Sequence, residues 1–184
     1  MEGRLEEHYL EETLLQFRKL KEQADKALAQ ASSDDFFATL DPESNSLAVI
    51  VKHVGGNLRS RWTDFLTTDG EKPDRDRDGE FEIRSGDTQA SLMAQWESGW
   101  RCVFDTIGGL TPRDLTKTVL IRREPHSVIQ AISRSFGHTA GHVGQIVHVA
   151  KHLRWQDWKT LTVPRGKSKE FNAKMTERFK TKTG

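Results

Sequence analysis

Apolar residues recur at helical spacing in four long stretches, and polar, turn-forming segments separate them. From about Gly3 to Gln30, Leu10, Leu14, Phe17 and Leu20 follow at steps of three and four with Glu and Lys between, which predicts a first amphipathic helix. Ser32-Ser33-Asp34-Asp35 stops it, and Phe36-Phe37 begins a short connecting segment. Asp41-Pro42-Glu43 reads as a turn, and Ser44-Asn45-Ser46 offers capping side chains to a second helix from about Ser46 to Leu66. That helix is expected to bury Leu47, Ile50, Val54, Leu58 and either Trp62 or Phe65.

The run from Thr68 to Glu80 is polar and turn-rich with nothing to bury, so it is expected to be the longest loop, and mobile. Gln89 to Ile107 reads as a third helix, capped by Asp87 or Thr88, with Leu92, Trp96, Trp100 (or Val103) and Ile107 on one stripe and Gly108-Gly109 ending it. Thr111 to Leu115 starts like a single helical turn, and Thr116 to Arg122 alternates like a short extended piece. Pro125 is placed at the first position of a fourth helix, where its missing N–H costs nothing. This helix continues through Ile129, Ile132, Phe136, Val143 and Val147 to about Leu153. In the tail, Trp155, Trp158, Leu161 and Val163 are expected to pack on the body, and Ser168 to cap a last basic helix. Four long helices with one long crossover segment predict an all-α four-helix bundle: a single domain over 1–184, with its core at about 3–153 and a tail at 154–184.

Composition narrows the class. With five Trp and nine Phe to bury, the chain is not a disordered one. A net charge of +1 argues against nucleic-acid binding, which normally needs a clearly basic surface. The basic tail from Arg165 to Lys180 is interrupted by Glu170 and Glu177 and reads as a solvated helix face. Cys102 is the only cysteine, so no disulfide forms within the chain; mid-helix beside Trp100 and Phe104, it reads as a small buried hydrophobe rather than a nucleophile. The N-terminus is acidic without an apolar signal region, and no run nears the roughly 20 apolar residues that span a bilayer. A soluble cytoplasmic domain without membrane partners is expected.

The candidate chemistry lies in the histidines. His138 and His142 stand four apart in the fourth helix, on one face and about 6 Å apart along the axis, close enough to turn ring nitrogens toward one divalent ion. A pair rarely holds a metal alone, and His53 in the second helix is the candidate third ligand. Three neutral imidazoles leave a position open for water or substrate, the catalytic rather than the structural pattern. His148 and His152 are also four apart, but they point well away from His142 and read as a solvated face near the helix C-terminus. His8 and His126 are expected at the surface.

Gln145 falls in the sector of His138 and His142, where it can bond a ligand or order a neighbouring ring. Gly137, Gly141 and Gly144 interleave with them at a propensity cost of ~2–3 kcal/mol relative to alanine, which close helix approach or room above an ion would offset. On the second helix His53, Asn57, Ser60 and Arg61 form a polar stripe that faces either solvent or a polar pocket. In a pocket, Arg59 and Arg61 would suit anionic substrates, because a guanidinium fork pairs with carboxylates. No Gly-x-Ser-x-Gly elbow, phosphate-binding glycine loop, dinucleotide fingerprint or His-Glu-x-x-His motif is present; positions 139 to 141 are Thr-Ala-Gly.

Two stretches, Ser46 to Leu66 and His138 to Leu153, carry a resemblance to the DinB-like superfamily, in particular to a branch of small bacterial proteins of unknown function. The tail from Asp157 to Ser168 is similar to that branch too. The resemblance covers nearly the whole chain in helix order. It implies a four-helix bundle of DinB-like type, often a homodimer, with a three-His divalent metal site that maps onto His53, His138 and His142. The wider superfamily includes S-transferases and an isomerase that use low-molecular-weight thiols, of the bacillithiol and mycothiol kind among the transferases. The small Thr139-Ala140-Gly141 departs from the aromatic-containing version of the motif and implies a larger pocket.

The expected function is a metal-dependent enzyme. Zinc, or alternatively nickel or manganese, would activate water or a low-molecular-weight thiol for hydrolysis or S-transfer to a small-molecule substrate, with Asn57, Arg61 and Gln145 orienting that substrate. The alternative is a non-catalytic, dimeric metal-binding bundle serving as a stress-response binding module.

Overall fold

The computed structural model describes residues 4–180 and is mostly helical. Among these residues the α-helices are α1 (Arg4–Leu28), α2 (Ser33–Phe37), α3 (Leu47–Trp62), α4 (Gln89–Gly109), α5 (Val128–Leu153) and α6 (Ser168–Lys180). Two short strands, β1 (Thr118–Ile121) and β2 (Glu124–Ser127), pair as an antiparallel hairpin, with Thr118 opposite Ser127. Single 3₁₀ turns occupy Asp78–Phe81 and Pro112–Asp114. The expected start at Gly3 and the last four residues of the tail lie outside the described residues.

The helices begin where short polar side chains satisfy their first N–H groups. Ser46 accepts from the Val49 amide, Thr88 from Ser91 and Ser127 from Gln130, and the last two complete reciprocal capping boxes. Ser32 does the same with Asp35, so the expected connector at Phe36-Phe37 is the helix α2, with Phe36 fully buried. The second long helix stops at Trp62, four residues short of expectation. Asp64 adopts a left-handed backbone (φ +47), and its carbonyl accepts from the Thr67 and Thr68 amides, turning the chain while Phe65 still reaches the core.

α1 packs on α4 and α5, and α3 packs on the same two helices. One aromatic hub ties all four together. The buried Phe17 ring of α1 meets Trp62 of α3, Trp100 of α4 and Phe136 of α5 edge-on, at centroid distances of 5.9, 6.4 and 5.3 Å. α3 and α4 approach backbone to backbone: a Cβ on Gly99 would sit 2.6 Å from the Gly55 carbonyl oxygen. In contrast, Cβ atoms added at Gly137, Gly141 or Gly144 would meet nothing within 4 Å, so none of the described residues packs directly on α5 there.

Further expectations need correction. Pro125 does not open the fourth helix; it lies in β2, extended as proline's fixed φ also allows, and α5 starts at Val128. Ile129 is exposed at 38%, because the buried face instead runs through Val128, Ile132, Ser135, Thr139 and Val143. In the tail Trp158 and Leu161 pack against the core, whereas Trp155 is 72% exposed. His126, expected at the surface, has a side chain only 12% exposed that accepts from Arg134 Nη1 at 3.1 Å. The segment from Thr68 to Glu80 also departs from expectation: it is tied down and packs on α3. Its Gly70 amide donates to the Leu120 carbonyl, and Ser60 Oγ donates to the Gly70 carbonyl. Among the described residues, no helix is long and apolar enough to cross a membrane.

Candidate metal centre

α3 is buried almost all round, so its polar stripe faces inward. His53, Asn57, Ser60 and Arg61 are each no more than 8% exposed, while Arg59 points out to a separate surface cleft. Across from this stripe, α5 presents His138 and His142. The three imidazoles converge: His53 Nε2 lies 3.3 Å from His138 Nε2, which lies 3.2 Å from His142 Nε2. A metal ligand atom from each ring falls within 4.8 Å of the other two, so the trio can hold a metal ion. His8, His148 and His152 are all exposed and apart from it.

What fixes two of these rings is as informative as the convergence. His53 Nδ1 donates to Glu80 Oε2 at 2.9 Å, and His142 Nδ1 donates to Gln145 Oε1 at 2.7 Å. An ionised carboxylate only accepts, so the His53 proton sits on Nδ1 and the Nε2 lone pair faces the cluster. His142 is oriented the same way. His138 Nδ1 is buried without a partner, and one proton on His138 Nε2 could satisfy only one of its two neighbours. Three inward nitrogens short of protons form a donor set suited to a cation.

Both spacings from His138 fit a metal as well. Zinc–imidazole bonds of roughly 2.0–2.1 Å in tetrahedral geometry put ligand nitrogens about 3.3 Å apart. Electrostatics favour the neutral forms of His138 and His142. Burial, followed by the proximity of His142, His53, Arg61 and Arg75, lowers the His138 pKa to about 4. Burial also lowers that of His142, against the raising effect of the Gln145 hydrogen bond.

Glu80 is the residue that sequence reasoning missed. It is 7% exposed in the 3₁₀ turn of the long loop, and Arg75 grips it through two 2.8 Å bonds, Nε to Oε1 and Nη2 to Oε2. Burial opposes its ionisation, but the hydrogen bonds from Arg75 and His53 prevail and hold its carboxyl below the usual range. Gly56 leaves room for it, since a Cβ there would collide with the carboxylate. Phe81, next in sequence, lies against the His53 ring with centroids 4.6 Å apart. One turn of loop therefore bonds the outer nitrogen of a candidate ligand and covers its face. The available signal was an acid among alternating Arg and Asp residues, which does not single out Glu80.

Asn57, Arg61 and His138 line one small cavity with His53, whereas Gln145 is engaged with the His142 ring. No curated protein matches the chain. Residues 4–167, which include every residue of this centre, match the family described as "Protein of unknown function (DUF1572)". The chain belongs to the DUF1572 family.

Proposed function

We propose that the chain is a metal-dependent enzyme of DinB-like type, a four-helix bundle whose three-histidine centre activates water or a low-molecular-weight thiol for hydrolysis or S-transfer to a small substrate. The observation that carries this reading is the convergence of three imidazoles, with His138 Nε2 3.3 and 3.2 Å from the Nε2 atoms of His53 and His142 and the outer nitrogens of those two rings bonded to Glu80 and Gln145. Such partners fix ring orientation and raise the basicity of a ligating imidazole. Three protein ligands leave a coordination position for a reactant.

A bound divalent ion would act as a Lewis acid, lowering the pKa of a coordinated water or thiol. Zinc is our first choice, because the two nitrogen spacings from His138 suit tetrahedral coordination; nickel and manganese are the alternatives. Glu80 and Gln145 act as positioning residues through His53 and His142. Asn57 follows His53 by one helical turn and shares its cavity, which suits it to orient a reactant. We also expect a cytoplasmic homodimer.

Chelated protein reconstituted with zinc, nickel or manganese tests the activity, using thioester and ester hydrolysis and thiol transfer to small electrophiles. The reading expects turnover restored by one of these ions and absent in His138→Ala. A fully loaded protein without metal-dependent turnover in either reaction class would leave a binding bundle.

A further inference from the structure

Beside the histidines lies a cavity of about 150 Å³ lined by His53, Asn57, Arg61, Arg77, Arg122, Arg134, Ser135 and His138. Four guanidiniums border it and no carboxylate does. Three of the four are engaged at their outer sides. Arg122 pairs with Glu71 at 3.1 Å, Arg134 with Glu124 at 3.2 Å, and Arg77 weakly with Asp78 at 3.9 Å while lying over the Phe81 ring.

Arg61 is different. It is 8% exposed, forms no ion pair among the described residues, and its Nη1 is buried without a hydrogen-bond partner. Burial, with Glu71 opposing and Arg134, Arg75 and Arg122 reinforcing, lowers its pKa to about 10, so it remains a cation at neutral pH. Glu71 and Asp69 act on it only from beyond ion-pair distance, and a buried cation without a direct partner is costly, so a fold that keeps one holds it against that cost.

The surroundings keep it in place. Gly70 packs on the guanidinium, and a Cβ at that position would come within 2.8 Å of Nη1. The β1–β2 turn places Arg122 through two successive residues in the left-handed region, Arg122 (φ +55) and Arg123 (φ +64). That geometry normally selects Asn or Gly. It persists here because the Asp69 carboxylate accepts both backbone N–H groups, at 2.8 and 2.7 Å. Backbone strain of this kind clusters at functional sites.

We propose that this cavity is an oxyanion subsite, in which Arg61, aided by Arg77, Arg122 and Arg134, holds a carboxylate or phosphoryl group of the substrate beside the histidine centre. A guanidinium fork matches both groups bidentately. The cavity is small against the roughly 300–1,000 Å³ of pockets that enclose whole ligands, so it takes a head group while the rest of the molecule extends outward. The assignment of the anion as substrate rests on the enzymatic reading; anion binding itself does not.

The test is titration of inorganic phosphate and of acetate into chelated and zinc-loaded protein, followed by calorimetry and thermal midpoint. Wild type is compared with Arg61→Gln and, at the more exposed cavity edge, Arg122→Gln. The expected result is binding of one or both anions in both metal states, weakened at least tenfold by Arg61→Gln, with the tighter anion naming the head group. Arg61→Gln is also expected to raise the midpoint of the anion-free protein while abolishing the anion's stabilising shift, which a merely structural arginine would not do. If Arg61→Gln does not fold, weakening by Arg122→Gln carries the same test. No anion binding in either metal state, or binding that needs zinc and survives Arg61→Gln, overturns the subsite. Anion binding in a protein that refuses zinc would instead sink the metal reading and leave the subsite standing.

Discussion

Glu80 accepts the Nδ1 proton of His53 at 2.9 Å across 27 residues of chain, which makes the long loop part of the histidine centre. The carboxylate both selects the tautomer and holds the ring, so its removal tests whether the loop serves the metal. Glu80→Gln keeps the shape but loses the charge-assisted bond. We expect its zinc affinity to fall about 10- to 100-fold, measured by chelator competition, with helicity retained. Unchanged affinity would mean that the contact only anchors the loop.

Gly56→Ala reaches the same carboxylate from the other side. The added methyl collides with Glu80 and must push it off His53 or displace the turn. A loss of zinc affinity in the same direction as Glu80→Gln is expected, and the double variant should lose little more than either single one, because both break one contact. Additive losses would contradict this.

The glycines of the long helices separate into two kinds with opposite signs. Gly99→Ala drives a Cβ against the Gly55 backbone, where neither helix can yield cheaply, and is expected to cost about 1–3 kcal/mol in urea unfolding. Gly144→Ala meets open space and is expected to gain up to about 1 kcal/mol from helix propensity. A stability loss in Gly144→Ala would show that this face is covered by something else, for which a second copy is the first candidate to check by sedimentation.

The metal-free protein has a pH dependence whose sign follows from His138. Its folded pKa is depressed from the ordinary 6.5 to about 4, chiefly by burial, and that of His142 shifts in the same direction. Between these values the unfolded chain binds protons that the folded one refuses. The contribution to stability is therefore full above about 6.5 and is lost as the pH falls toward 4. Chelated wild type should lose thermal stability through this window, and His138→Asn should flatten the upper part, where carboxylates do not yet titrate. Parallel profiles would refute the buried, neutral state of the ring.

Periodicity made the four long helices readable, because α1, α4 and α5 each bury one stripe and α3, buried almost all round, still carries apolar residues at helical steps, and the spacing of His138 and His142 put two imidazoles on one face. His53 stood out as a histidine within an otherwise apolar helix. The rest depended on where distant segments meet. Glu80 sits in a polar run whose neighbours are equally acidic or basic, and only the approach of that loop to α3 picks it out. Pro125 suits the first turn of a helix and an extended strand alike, and pairing with β1 decided between them. The turn at Arg122-Arg123 carries neither Asn nor Gly, and the Asp69 that stabilises it lies more than 50 residues earlier. Trp155 shows the reverse error, since a large apolar side chain is often left at the surface.

Metal content is the most direct test of the central claim. Wild type and His142→Ala, purified without a nickel column, would be analysed by mass spectrometry and then titrated with zinc under a thermal melt. The account predicts close to one equivalent of metal in the wild type and little in the variant. At zinc a thousandfold above its Kd it predicts a stabilisation of about 4 kcal/mol that His142→Ala lacks. Two folded proteins that contain no metal and show no shift with added zinc would contradict it.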